Sequence, residues 1–239
     1  MRHHPWFALS IGLALVLTDG PRTSAIAAGP VPVTTCGQSV AKKGILTADL
    51  DCSAHDGAAI VLMKSAKLDL GGFTLTAKDI GVRCSGGRCL VTGPGTIRRP
   101  AFTPLDDPGT GIYALSHVRV RDTVLQNWNE AVFSLDSAHA SGCTIENGGY
   151  GIVGGPVKVL DSTFANHSNG GVRAYAGTQD GIHYKFYSCK VRGSTFSNNG
   201  VDIESYRRPV VKESSCTTSD QLTIPDAPHG GGDEWDVCP

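Results

Sequence analysis

The sequence has few charged residues, few aromatic residues and almost no net charge. Charged residues make up 18% of the 239 residues and aromatic residues 7%, whereas the usual charged share is about 25%. The 21 Lys and Arg residues nearly balance the 22 Asp and Glu residues. This balance argues against a sequence-independent nucleic-acid binder, since such proteins are usually basic. Leu, Glu, Lys and Ala do not dominate the composition, which disfavours a helical protein built from heptads.

Long hydrophobic runs are also missing. The apolar run at residues 6–18 is shorter than the ~20 residues that span a bilayer, so no membrane span is predicted. It follows a short polar segment, residues 2–4, and precedes Ala25-Ile26-Ala27, a small-x-small cleavage pattern. A buried N-terminal helix is the alternative. The pattern predicts a signal peptide over residues 1–27 and a secreted or periplasmic mature chain over residues 28–239.

Glycine and cysteine, by contrast, are plentiful. The 30 glycines, together with a hydrophobic share of 40%, favour a turn-rich β protein with a continuous core. All eight cysteines lie in the predicted mature chain, and an even number in an exported protein indicates disulfides. Zinc is the competing interpretation, but the sequence has no C-x-x-C and no Cys and His pairs at ligand spacing. We therefore predict no metal site from the cysteines.

An internal repeat runs through most of the chain. A small residue followed by a β-branched residue recurs every 20 residues, at Gly111-Ile112, Ala131-Val132, Gly151-Ile152 and Gly171-Val172. Each repeat also has a second strand-like segment that is followed by an asparagine: Asn127, Asn147, Asn166 and Asn198. The same register extends to Ala59-Ile60 upstream and to Gly200-Val201 downstream. About seven repeats therefore cover residues 59–220.

This period predicts a parallel β-helix. Twenty extended residues at ~3.3 Å each have a contour of ~66 Å, enough for one coil of a three-sided prism. Successive coils would pair through parallel strands, so that equivalent residues stack. The asparagines would form an amide ladder at one turn. An antiparallel sandwich is the alternative, but it has no reason to keep a 20-residue register.

One segment carries a family resemblance. Lys67-Leu68-Asp69-Leu70-Gly71-Gly72-Phe73-Thr74-Leu75, followed by the Gly-Ile coils and Asn turns, resembles the exported right-handed parallel β-helix proteins of the pectate-lyase-like superfamily. The resemblance implies an all-β, right-handed parallel β-helix of about seven coils over residues 28–239. Members include polysaccharide lyases, hydrolases, epimerases and proteins without known chemistry, so the fold alone leaves the activity open.

A solenoid of this type exposes its core at both ends and needs caps. Cys36 with Cys52 flanks the first coil, and Cys216 with Cys238 flanks the last, so we predict a disulfide in each pair. Cys84 and Cys89 bracket a tight loop and are predicted to pair too. Cys143 and Cys189 lie two coils apart, beyond the ~7 Å Cα limit for a disulfide, and are predicted to be free and buried. We expect a monomer with disulfide-capped ends.

Two longer coils predict a groove. Insertions at residues 98–108 and 175–187 would flank the sheet that contains the Gly-Ile strands. If Ile112 points inward, strand alternation places the following residues outward: Arg83, Tyr113, Phe133, Val153, Arg173 and Asp202. We predict Arg83, Tyr113, Phe133 and Asp202 as substrate-binding residues, since rings stack on sugars and Arg pairs with carboxylates. The alternative is that the outward rings only stack between coils.

Candidate catalytic residues follow from the same groove. Chemistry on an acidic polysaccharide requires a cation at the carboxylate and a base for the C5 proton. We assign the first role to Arg173 and the second to Lys185, His183 or Arg207. The expected function is binding or processing of an extended acidic polysaccharide, as a lyase if catalytic. The alternative is a non-catalytic glycan-binding or structural surface module.

Motifs separate these alternatives only weakly. The motifs of the superfamily's hydrolases and epimerases are absent, whereas Arg207-Arg208-Pro209-Val210-Val211-Lys212 resembles the Arg-x-Pro-x-x-Arg of pectate lyases, with Lys212 in place of the final Arg. No cofactor is predicted. Asp106-Asp107 offers oxygen ligands for Ca²⁺, but the sequence Asp-Asp-Pro-Gly is also typical of a turn.

Overall fold

The described chain consists of β-strands and their connections. The computed structural model describes residues 29–101, 109–179, 183–222, 235 and 237–238, and only the backbone of residues 177–179, 183 and 184. Within them the chain is all-β and contains no helix. The predicted signal peptide at residues 1–27 and the Asp106-Asp107 pair lie outside the described residues.

The strands stack in parallel in three rows, and the chain contributes one strand to each row in turn. Strands are numbered β1–β25 along the chain. Row A is a nine-stranded sheet in the order β1 (Val31–Val33), β3 (Lys43–Leu46), β6 (Lys67–Asp69), β9 (Arg88–Thr92), β12 (His117–Arg121), β15 (Ser137–Ser141), β17 (Val157–Leu160), β21 (Cys189–Arg192) and β24 (Val210–Lys212).

Rows B and C are joined by two long strands, β16 (Thr144–Gly154) and β18 (Thr163–Ala174), which belong to both. Row B otherwise holds β4 (Leu50–Cys52), β7 (Thr74–Ala77), β10 (Thr96–Arg98), β13 (Val124–Gln126) and β22 (Thr195–Ser197). Row C holds β2 (Gln38–Val40), β5 (Ala58–Leu62), β8 (Ile80–Cys84), β11 (Thr110–Ala114), β14 (Glu130–Ser134), β23 (Val201–Ser205) and β25 (Ser219–Gln221). This arrangement is compatible with a solenoid.

The second predicted insertion forms a small hairpin between rows C and A. Strands β19 (Gly177–Gln179) and β20 (His183–Lys185) pair antiparallel. Of the first insertion, residues 98–101 are described and residues 102–108 are not.

The predicted 20-residue register is confirmed along most of row C. Equivalent residues pair directly from coil to coil, in the order Ile60, Val82, Ile112, Val132, Ile152 and Val172. All of these side chains are buried. The apolar stack therefore fills the space between the rows, as alternation along each strand requires.

The predicted register is wrong for the last coil. Val172 pairs with Ile203 rather than with Val201, and Arg173 therefore lies beside Glu204. Asp202 does not point outward: it is 1% exposed, and its carboxylate accepts hydrogen bonds from the backbone N–H of Thr217 and Thr218.

The position of Asp202 has a steric explanation. Gly151 and Gly171 occupy the position of Asp202 in earlier coils. Space there is small, because a Cβ at Gly151 would lie 2.4 Å from the carbonyl oxygen of Gly171 in the next coil. At the end of the stack, the segment that follows Asp202 in the next coil is irregular. The backbone amides of this segment, at Thr217 and Thr218, donate to the carboxylate of Asp202. Asp202 is thus a capping residue.

The four repeated asparagines lie at the turn between rows B and C. Each has a left-handed backbone, with φ of 65° at Asn127, 58° at Asn147, 59° at Asn166 and 53° at Asn198, a conformation that asparagine tolerates better than most residues. Asn166 donates to Asn147 at 3.2 Å, and Asn198 donates to Asn166 at 3.3 Å. The predicted ladder is confirmed for these three.

The predicted cysteine chemistry is confirmed. Disulfides join Cys36 to Cys52, Cys84 to Cys89, and Cys216 to Cys238, with Cα atoms 5.6, 6.1 and 5.1 Å apart. Cys143 and Cys189 are free and buried. Three disulfides fit an extracellular or periplasmic protein, since such bonds persist in oxidising compartments.

Candidate functional site

The outer surface of row C carries the predicted aromatic residues, but these stack on one another. The rings of Tyr113 and Phe133 are parallel to within 10°, with centroids 5.4 Å apart. Tyr175, at the start of the hairpin insertion, stacks on Phe133 at 6.2 Å. Phe133 therefore stacks with two other rings. The arrangement favours stacking between coils, because a sugar ring needs an unoccupied aromatic face.

Arg173 points outward on row C, as predicted, and is engaged within the protein. Its Nη1 donates to the hydroxyl of Tyr150 at 2.7 Å. Its Nε lies 3.7 Å from Oε2 of Glu204. The guanidinium also lies 5.3 Å from the centroid of the Tyr150 ring, within cation–π range. A ligand carboxylate at Arg173 would therefore have to compete with Glu204.

Two partly buried carboxyl groups lie near Arg173. Burial raises the pKa of Glu130, and the charge of Arg173 opposes this rise. Burial likewise raises the pKa of Glu204, again opposed by Arg173. The Oε2 atom of Glu204 is buried without a hydrogen-bond partner. These groups stabilise one another across coils rather than forming an open cation site.

Of the other predicted catalytic residues, the two whose side chains the structure describes are not assembled around Arg173. Lys185 and Arg207 line a cavity of about 450 Å³ on the side of row A, together with His139, Lys158 and Lys190. We call this cavity the hairpin pocket. Arg83 is exposed at the predicted position on row C, beside Tyr113. The backbone of His183 belongs to β20, but its side chain lies outside the described part of the structure.

The outer surface of row A is strongly basic. Its nine strands carry one acidic residue, Asp69, and nine exposed cations: Lys43, Lys67, Arg88, Arg119, Arg121, Lys158, Lys190, Arg192 and Lys212. We call this surface the basic face. Arg192 is paired with Glu213, which directly follows β24, at 2.9 Å. Because the whole chain has a net charge of −1, the remaining cations still concentrate positive charge on this side.

Three of the cations and one histidine form a column along the stack. Arg119 pairs with His139, His139 with Lys158, and Lys158 with Lys190. Neighbouring strands lie ~4.8 Å apart, so Lys158 and Lys190 are separated by one such interval and Arg119 and Lys158 by two. Like charges at such spacing repel one another, and an anionic ligand that lies along the column would relieve the repulsion.

Concave surface also follows the basic face. Three cavities, of about 490, 270 and 260 Å³, are lined largely by residues of row A, and the hairpin pocket of about 450 Å³ is lined by row A together with the segment after the hairpin. His139 lines three of them, and Lys158 lines three. These four cavities therefore lie on the side of row A and not on the predicted aromatic surface of row C.

The sequence contained a signal for this surface. The second strand-like segment alternates charged and apolar residues in two of the repeats, at Arg119-Val120-Arg121 and Lys190-Val191-Arg192. Counting back from the repeated asparagines places Arg119 and His139 at equivalent positions. The insertions and the aromatic residues point instead to the outer surface of row C.

Comparisons with known proteins add no assignment. No family model, curated protein or solved structure matches the chain significantly. Among the described residues, no group of three His, Cys, Asp or Glu side chains is placed to hold a metal ion. The same residues contain no helix that is long and apolar enough to cross a membrane.

Proposed function

We propose that this chain is an exported, right-handed parallel β-helix of the pectate-lyase-like type that binds an extended acidic polysaccharide along its basic face. The signal peptide at residues 1–27 would be removed on export. The mature protein would act as a monomer outside the cytoplasm. The three disulfides support this location, since they require an oxidising compartment.

The column of cations carries the proposal. A single exposed ion pair contributes only about 0.2–1 kcal/mol, so one lysine cannot hold a polymer. Arg119, Lys158 and Lys190 recur along one line, and a polymer with a carboxylate on successive sugars can pair with several of them at once. Once one carboxylate is bound, the next carboxylates of the same chain are held close to the remaining cations, so the binding free energies of the separate contacts add. Extended polyanions are therefore favoured over small anions.

A lyase activity is the second candidate, and the hairpin pocket favours it. Lys158 or Arg207 would pair with the substrate carboxylate and so acidify the neighbouring C–H group. Lys185 would take that proton from C5, and the C–H electron pair would form the C4–C5 double bond as the C4–O bond breaks. The departing glycosidic oxygen would take a proton from water, which leaves an unsaturated sugar. The expected signature is ultraviolet absorbance from the new double bond. Incubation of mature protein with polygalacturonate, with and without Ca²⁺, tests this candidate separately from binding.

The binding proposal is tested by charge reversal on two surfaces. Calorimetry would measure the affinity of mature protein for polygalacturonate at low salt. We expect Arg119→Glu to weaken binding about three- to tenfold, because it replaces an attraction by a repulsion. Arg83→Glu is the matched control, since it makes the same charge change on row C. An equal loss in both variants would reject the basic face as the site. Preference for double-stranded DNA over the polysaccharide would reject the ligand class.

A further inference from the structure

We propose that ligand binding at the basic face is coupled to protonation of His139, so that the protein binds acidic polymers more tightly as the pH falls. This inference rests on the proposed function, because it concerns the same face and the same class of ligand. It adds a means of regulation by the acidity of the surroundings.

The position of His139 in the column is the geometric basis. His139 lies on β15 between Arg119 of β12 and Lys158 of β17. It interrupts a line of permanent cations that continues to Lys190. It also lines three of the four cavities on the face. A polymer lying along the column must therefore pass directly over the imidazole.

Several Lys and Arg side chains lie around His139, with one further histidine. Strand β12 contributes His117, Arg119 and Arg121, strand β17 contributes Lys158, and the hairpin pocket contributes Lys185, Lys190 and Arg207. No carboxylate is among the residues that line these three cavities. Burial lowers the pKa of His139, and Arg119, Lys158 and His117 lower it further. Burial and the neighbouring cations therefore both favour the neutral imidazole in the free protein.

An anionic ligand changes this balance. Carboxylates placed over the column offset the field of Arg119 and Lys158, and they favour the charged form of the imidazole. Protonation then completes an uninterrupted column of positive charge from Arg119 to Lys190. Because linkage is reciprocal, a ligand that raises the proton affinity of His139 must itself bind more tightly when His139 is protonated.

The test is calorimetry with polygalacturonate and with dextran sulfate, whose sulfates stay ionised throughout. Titrations near pH 6 in two buffers with different ionisation enthalpies give the number of protons taken up on binding. We expect uptake by the wild type and an affinity about fivefold higher near pH 5 than near pH 8. His139→Gln should abolish most of the uptake and flatten the pH dependence. His55→Gln, a histidine on the turn between rows B and C, is the matched control.

The possible results separate the two proposals. Wild-type protein that binds neither polymer at any of these pH values would reject the proposed function, and this inference with it. Binding without proton uptake would reject only the inference. Uptake that persists unchanged in His139→Gln, with binding intact, would also reject it, because the proton would then be bound elsewhere. A histidine NMR titration in which the His139 resonance shifts to a higher pKa with polymer present would support it directly.

Discussion

Asn166 donates a hydrogen bond from its side-chain amide to the side-chain oxygen of Asn147, one coil earlier, at 3.2 Å. Asn198 in turn donates to Asn166 at 3.3 Å. Asn127, at the same turn, donates instead to the carbonyl oxygen of Arg99 at 3.1 Å. The side chains thus link successive coils at a turn where the backbone is left-handed.

Replacing the middle member of this ladder tests its contribution to stability. We expect Asn166→Ala to lower the free energy of unfolding by about 2–3 kcal/mol, because it removes two hydrogen bonds and places a Cβ-bearing residue without a local partner at positive φ. Asn166→Gly keeps the backbone conformation and should cost less. Urea denaturation would measure both. If both variants lose the same free energy of unfolding, the side-chain hydrogen bonds of Asn166 account for the whole loss and its left-handed backbone for none of it.

Stability should also depend on pH through His167. The imidazole is 1% exposed, its Nε2 donates to the carbonyl oxygen of Ile145 at 3.1 Å, and burial lowers its pKa to about 4. The unfolded chain binds a proton near pH 6.5. The stabilisation from a neutral His167 is therefore complete above about pH 6.5 and is lost as the pH falls toward 4, by about 3 kcal/mol in total.

Denaturant unfolding at neutral and mildly acidic pH would measure this loss. His167→Gln cannot titrate, so its stability should change less over the same range. A variant that loses as much stability on acidification as the wild type would place the acid-sensitive group elsewhere.

Removal of Arg173 should affect stability rather than binding to the basic face. Arg173→Ala would leave the partly buried carboxyl of Glu204 without its cation and the hydroxyl of Tyr150 without its donor. We expect a destabilisation of about 1–3 kcal/mol and an unchanged affinity for polygalacturonate. Glu204→Gln in the same background should recover part of the stability. A large loss of affinity in a well-folded Arg173→Ala protein would instead place the ligand site on row C, as the sequence predicts.

The two free cysteines should be unreactive in the native protein. Burial raises the pKa of the Cys143 thiol and raises that of Cys189 to about 12, and the reactive species is the thiolate. A thiol reagent should label no cysteine in native protein and both after unfolding without reductant. Cys143→Ser should remain folded, because Ser162, at the same site one coil later, donates to a carbonyl as Cys143 does. Rapid labelling of the native protein would contradict this placement.

The sequence by itself determined the repeat, the parallel stacking of strands, the disulfides and the asparagine turn. These features depend on local spacing: a 20-residue period requires equivalent residues to stack, and only a few residue types tolerate a left-handed turn. The last coil was predicted two residues out of register because Gly200-Val201 imitates the repeated pair. The spacing from Asn198 to Ile203, which equals that from Asn127 to Val132, points to the pairing that the structure has.

Only the tertiary structure decided which surface can take a ligand. Alternation shows that Tyr113, Phe133 and Arg173 point outward, but it cannot show that the rings cover one another or that Arg173 already has Glu204 beside it. Likewise, Arg119 and Lys190 are 71 residues apart in the sequence and become members of one charged column when the coils stack. Charge density and free aromatic faces depend on neighbours contributed by other coils, and those neighbours are set by the register of the whole stack.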